Sequence, residues 1–158
     1  MIRRRRADAL ADELDIDRAW RRRVRHRDQA LHLGRRIVVD VAEDRLKTYA
    51  AETGMAGYVC DVSRYEAVES VVATIERESG PIDILVNNMG IFDPKPFEDI
   101  PDADWMRFFE TNVMSGVRLA RAVLPGMLAR GSGAIVAVGS ELGLIGDPSA
   151  PHYAAAKG

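Results

Sequence analysis

From residue 36 onward, hydrophobic and polar positions along the chain fall into two alternating rhythms. Short β-branched runs, at Arg36 to Val41, Gly57 to Val62, Ile82 to Val86 and Gly133 to Val138, read as strands. Between them lie stretches of helical period, at Glu43 to Glu52, Tyr65 to Glu78 and residues 102 to 130. In the second stretch Val68, Val71, Val72 and Ile75 recur at three- and four-residue spacings and so line one face. In the third, Phe109, Val113 and Val117 share a face, and Pro125 predicts a kink or a late break because proline removes a backbone donor. Gly80-Pro81 stops the second helix, and Pro94 and Pro96 mark a loop. Strands alternating with helices in this way predict an α/β fold with parallel strands joined by crossover helices. Nothing repeats internally, and no low-complexity linker divides the chain.

The opening segment departs from this pattern. It holds no convincing strand, although Leu10 and Leu14, four apart among good helix formers, suggest partial helix. The net charge of -2 conceals a division: 12 of the 22 basic residues, all arginine, fall in residues 1–36 beside six acids, leaving that segment at +6 and the remainder at -8. Three readings stay open for residues 1–35: a phosphate-binding arm, a solvated or disordered arm, or a stretch translated out of frame or from a misplaced start that returns to frame near Gly34. Trp20 is the lone aromatic among these arginines and no nucleic-acid module follows, so nucleic acid is not an expected partner. Residues 36–158 form the expected folded domain.

Composition sets further bounds. With 158 residues, 47% hydrophobic and 29% charged, the chain has the size and make-up of one globular domain. A single cysteine, Cys60, precludes an internal disulfide and suits a reducing compartment. No apolar run approaches the roughly 20 residues that span a bilayer. The basic residues Arg3 to Arg6 run into Asp8, Asp12 and Glu13 rather than an apolar signal core, so the cytoplasm is the expected location and a membrane is not an expected partner.

Several residues could carry chemistry. Asp40 ends the first clear strand, where an acid is either a solvated turn residue or a ligand for the ribose hydroxyls of a dinucleotide, favouring NAD because it repels the extra phosphate of NADP. Asp61, with Val62 beside it, ends the next strand and either meets an adenine edge or caps the following helix. Asn87-Asn88-Met89-Gly90 leaves the third strand as either a plain turn or a site of close backbone approach to a ligand. Asn112, a polar residue within a helical stretch, is either a satisfied core amide or part of a polar site. Ser140 follows the last strand, thirteen residues before Tyr153, and Lys157 lies four residues further on. On a helix that four-residue spacing places phenol and ammonium on one face, and a nearby cation favours the phenolate, which makes Tyr153 a candidate general acid/base.

In this order, Asp40, Asp61, Asn87-Asn88-Met89-Gly90, Asn112, Ser140 and Tyr153-Ala154-Ala155-Ala156-Lys157 resemble the motifs of short-chain dehydrogenases/reductases. The resemblance covers residues 36–158 and implies a Rossmann-type doubly wound parallel sheet with flanking helices, and an NAD(P)-dependent oxidoreductase. It implies a role for each position: Tyr153 exchanges a proton with the substrate oxygen, Ser140 hydrogen-bonds that oxygen, Lys157 binds the nicotinamide ribose, and Asn112 holds a relay water. Asp40, Asp61, Val62, Asn88, Met89, Gly90, Tyr153 and Lys157 would contact the cofactor, NAD in preference to NADP on the strength of Asp40. The substrate would be a small or medium alcohol or carbonyl compound, no metal is implied, and family members are usually homo-oligomers.

Two departures bear on this expectation. The family's first strand and its glycine-rich turn should precede Asp40 by about 20 to 30 residues, yet residues 1–33 contain no glycine. The fold is therefore expected to be partial, with the first strand missing and the sheet split in two. At the other end a helix starting near Tyr153 has barely one turn and is expected to lack rigid support, and Met89 is expected to crowd the adenosine side. The alternative is a non-catalytic fragment or pseudogene product acting, if at all, as an interaction module.

Overall fold

The structure, a computed structural model, describes residues 35–158. The expectations for the Arg-rich opening and for a strand preceding Asp40 lie outside the described residues.

The described chain is α/β, with elements β1 (Ile37–Asp40), α1 (Glu43–Thr53), β2 (Ala56–Val59), α2 (Tyr65–Ser79), β3 (Ile84–Asn87), α3 (Asp102–Phe109), α4 (Ser115–Arg130), β4 (Ala134–Ala137), α5 (Glu141–Ile145) and α6 (Pro151–Lys157). Among the described residues the strands pair two by two, both pairs parallel. In one, Ile37 faces Ala56 and Asp40 faces Val59; in the other, Ile84 faces Ala134 and Asn87 faces Ala137. Two separate strand pairs agree with the expected split, and each pair brings its carboxyl ends to one edge.

One core nevertheless serves both pairs. The predicted stripe of α2, Val68, Val71, Val72 and Ile75, is buried, and it meets Leu119, Val123 and Met127 of α4 together with Cys60 and Val62. Ile37, Val39 and Tyr58 from the first pair and Leu85 from the second pack against this cluster. Each such aliphatic side chain contributes about 1.5 to 3 kcal/mol on full burial, so α2 and α4 hold the strand pairs together although no ladder joins them. Met89 packs here too. Its partly buried side chain is drawn toward the core by its apolar surface.

The long helical stretch matches its predicted bounds but turns a different face inward. Helix α3 runs through a single π turn, Glu110–Met114, into α4. The buried positions are Phe108, Asn112, Ser115, Leu119, Val123 and Met127, whereas Phe109 and Val117 are exposed. Two apolar stripes adjoin on this helix, and the core takes the one beside that expected. Pro125 neither breaks nor ends the helix: it lies on the exposed side, where water can satisfy the carbonyl its ring leaves unpaired. The helix ends at Gly131, whose φ of 64° is a left-handed value that glycine adopts without strain. No helix is expected from sequence at 141–145, yet α5 forms there because Ser140 caps it, its hydroxyl oxygen accepting from the amide of Leu142 at 3.2 Å.

Candidate active site

The carboxyl ends of the strands place the predicted residues on loops and helix starts. Asp40 closes β1 and accepts a hydrogen bond from the Ala42 amide at 2.9 Å, with the Arg45 guanidinium 3.5 Å away. Asp61 follows β2 and caps a turn rather than the helix itself, accepting from both the amide and the hydroxyl of Ser63. Those donors, the hydroxyl foremost, hold its carboxyl below the ordinary range. Val62 sends its side chain into the core.

Past β3, Asn88 and Gly90 are exposed. The next loop residue is held by Asn112 in the π turn. Its side-chain oxygen accepts from the Ile91 amide at 2.7 Å and its side-chain nitrogen donates to the Ile91 carbonyl at 3.2 Å, so one amide engages both backbone groups of one residue. The buried Asn112 is thus a satisfied amide, retaining one lone pair and one N–H for a further partner.

Lys157 ties the ends of β3 and β4 together. Its ammonium donates to the carbonyl of Met89 at 3.0 Å and to that of Val138 at 3.1 Å. Burial pushes its pKa down from the ordinary 10.5, so desolvation of the cation outweighs the help of two carbonyl dipoles. Gly90 admits this close approach: a Cβ there would stand 3.2 Å from the lysine's Cε and Nζ. Gly143 does the same on the other side, since a Cβ on it would lie 2.3 Å from the Lys157 carbonyl oxygen. The short helix α6 is therefore braced, starting at Pro151 and packed against α3 and α5, which corrects the expectation that it lacks support: tertiary contacts supply what its length cannot.

Half-buried Tyr153 lies one turn before Lys157, and the ring of Phe92 meets its ring edge-on with centroids 4.9 Å apart and planes at 78°. Ser140 is held in place by its capping bond to Leu142; because its oxygen accepts there, its own proton remains available for donation. The loop carrying Phe92 is fastened to α3 by ion pairs of Lys95 with Asp93 and Asp104, and of Arg107 with both acids. Phe92 and His152 were not selected from sequence. An aromatic two residues past a strand-end glycine was a readable signal for the first; nothing in the sequence marked the second. Among the described residues, no cluster of three metal-ligating side chains forms, and no helix is long and apolar enough to cross a membrane.

Comparison with known proteins yields consistent matches. A family model described as "short chain dehydrogenase" matches residues 28–158. An uncharacterized oxidoreductase of Bacillus subtilis, YvaG, is 39% identical over 114 residues, covering 72% of this chain and 42% of that protein. The 3-oxoacyl-[acyl-carrier-protein] reductase FabG of Vibrio harveyi is 38% identical over 112 residues, 71% of this chain and 46% of that one. Among solved structures, an actinorhodin polyketide ketoreductase variant with NADPH superposes with a TM-score of 0.73 at 35% identity, covering 78% of this chain and 50% of that chain. The chain thus spans less than half the length of these two curated relatives.

Proposed function

This chain belongs to the short-chain dehydrogenase/reductase family, and from that premise we propose that it carries the catalytic half of an oxidoreductase interconverting a small or medium alcohol and its carbonyl compound. The observation that supports this best is Lys157, a partly buried ammonium pinned between two adjacent strand ends, with Tyr153 one turn back and the ordered hydroxyl of Ser140 after β4.

Tyr153 gives a proton to the substrate oxygen in reduction and removes it in oxidation. The hydroxyl of Ser140 donates to the same oxygen, where negative charge builds up. Lys157 spends two of its three N–H groups on Met89 and Val138, and the third, without a partner among the described residues, can donate to a ribose hydroxyl. Asn112 fixes the loop beneath Tyr153's aromatic neighbour and offers its remaining lone pair and N–H to a relay water. The nicotinamide cofactor, when bound, supplies or accepts the hydride. The residues present fit such a group: Asp40, Asp61 and Val62 at the adenosine end, Asn88, Met89 and Gly90 along the strand end, and Tyr153 and Lys157 at the nicotinamide ribose. The glycine at position 90 fits best, because a Cβ there would crowd Lys157. NAD is the proposed preference over NADP, supported by Asp40 at the end of β1, a carboxylate that would repel a 2′-phosphate bound beside it. The cytoplasm is the proposed location.

Titration of the purified chain with NADH and NADPH, followed by fluorescence of the reduced nicotinamide, tests this reading. Binding of NADH in preference to NADPH, together with carbonyl reduction abolished by Tyr153→Phe, is the expected result. A folded chain that binds neither nucleotide would leave the non-catalytic reading in its place.

A further inference from the structure

His152, the neighbour of Tyr153 in the chain, is buried at 1% exposure, and neither ring nitrogen has a hydrogen-bond partner among the described residues. A buried polar group without a partner costs free energy, so its retention in such a place calls for a return elsewhere. The ring supplies one. It lies against the ring of Phe108 with centroids 3.9 Å apart, and Trp105 meets it at 5.9 Å and 65°. Phe108 is itself fully buried, and both aromatics belong to α3, one turn before the π turn that carries Asn112.

Position matters as much as burial. Helix α6 has only seven residues and is fixed at its last turn by Lys157. His152 fixes its first turn, and the next residue is Tyr153. Neighbouring residues on a helix project about 100° apart, so a ring locked into α3 sets the direction in which the adjacent phenol leaves the helix. Phe92 closes on the tyrosine ring from the loop side. We propose that His152 is a positioning residue for Tyr153: its ring, through contact with Phe108 and Trp105, sets where the phenol stands, and its nitrogens are dispensable for this task.

The proposal rests on the enzymatic reading for its kinetic consequence but not for its structural one. Isotope-labelled tyrosine gives one ring resonance set for each of Tyr49, Tyr58, Tyr65 and Tyr153, and Tyr153→Phe identifies the fourth. In the full wild-type chain the edge-on Phe92 ring displaces the Tyr153 resonances from those of free tyrosine. In His152→Ala we expect that displacement to collapse while the other three tyrosines keep theirs, and in His152→Phe we expect it to persist. Should His152→Ala unfold, with all four sets collapsing, His152→Gln decides, since it keeps size and polarity but not the ring: again only Tyr153 should move. Tyr153 resonances unchanged in His152→Ala or His152→Gln, or lost in His152→Phe with the others intact, would overturn the proposal. Where the wild-type chain turns over substrate, kcat in His152→Ala should fall about tenfold or more with KM for NADH within about twofold, and His152→Phe should restore most of it. A chain with no turnover at all fails the enzymatic reading and leaves the resonance test standing.

Discussion

Lys157 concentrates the chemistry of single residues in this structure, because its charge is held in a place that disfavours charge. In the unfolded chain the amine keeps its proton up to its ordinary value of 10.5, whereas in the folded chain burial lowers that value. Between the two, the unfolded state binds more protons, so stability rises with pH through that window. Tyr58 and Tyr65, whose values are raised, act in the opposite direction at higher pH. The contribution of the lysine is therefore isolated by comparison with Lys157→Met. Denaturant unfolding from about pH 8 to pH 10.5 should show the wild type gaining on the variant as pH rises; a constant difference would mean that the amine titrates equally in both states. At this scale the sequence was informative, since Ser140, Tyr153 and Lys157 announce themselves by type and spacing. It was silent on what each side chain is already bonded to, because the partners are mostly backbone groups, which every residue has. The carbonyls of Met89 and Val138 lie 68 and 19 residues from Lys157 and no pattern links them.

The π turn is the clearest case at the scale of elements. The strands and helices were legible because their periods are imposed by burial, and the α2 stripe came out residue for residue. The inward face of the long helix did not, since its two apolar stripes adjoin and no residue type marks the widened turn at Glu110–Met114. That turn matters because Asn112 stands in it and treats Ile91 as a strand neighbour would. Asn112→Leu should cost about 2 to 4 kcal/mol, as it leaves both the N–H and the C=O of Ile91 without their partner. Chemical denaturation measures that loss, and the Ile91 amide should exchange with deuterium faster than the core amides of α2 do. A cost below about 0.5 kcal/mol, the level of ordinary surface changes, would mean that the loop is held by other contacts. Helix α5 went unread for a simpler reason: five residues are too few for a period to show.

Over the whole described chain, two strand pairs share one helix-built core, and parts of the strands are less well covered. Val59, Val86, Ile135 and Val136 are exposed, although parallel strands are ordinarily covered on both faces. The chain should therefore bind a hydrophobic dye such as anilinonaphthalene sulfonate while folded. Ile135→Thr with Val136→Thr should reduce that signal and shift the denaturation midpoint little, and an undiminished signal would place the dye elsewhere. The two strand pairs were foreseeable from the sequence because only the local segments that build them were needed. How the pairs are held together was not, because it depends on α2, ending at Ser79, meeting α4, which starts only at Ser115.

The reach of Lys157 has a consequence in time. Its bond to Met89 closes a loop of 68 residues and has no target until β3 and β4 lie side by side. Contacts of such separation form late, after local helices and the pairing they depend on. The apolar core can therefore be complete while the lysine still waits for its two carbonyls, and refolding should pass through molecules that are compact but in which Lys157 is not yet seated.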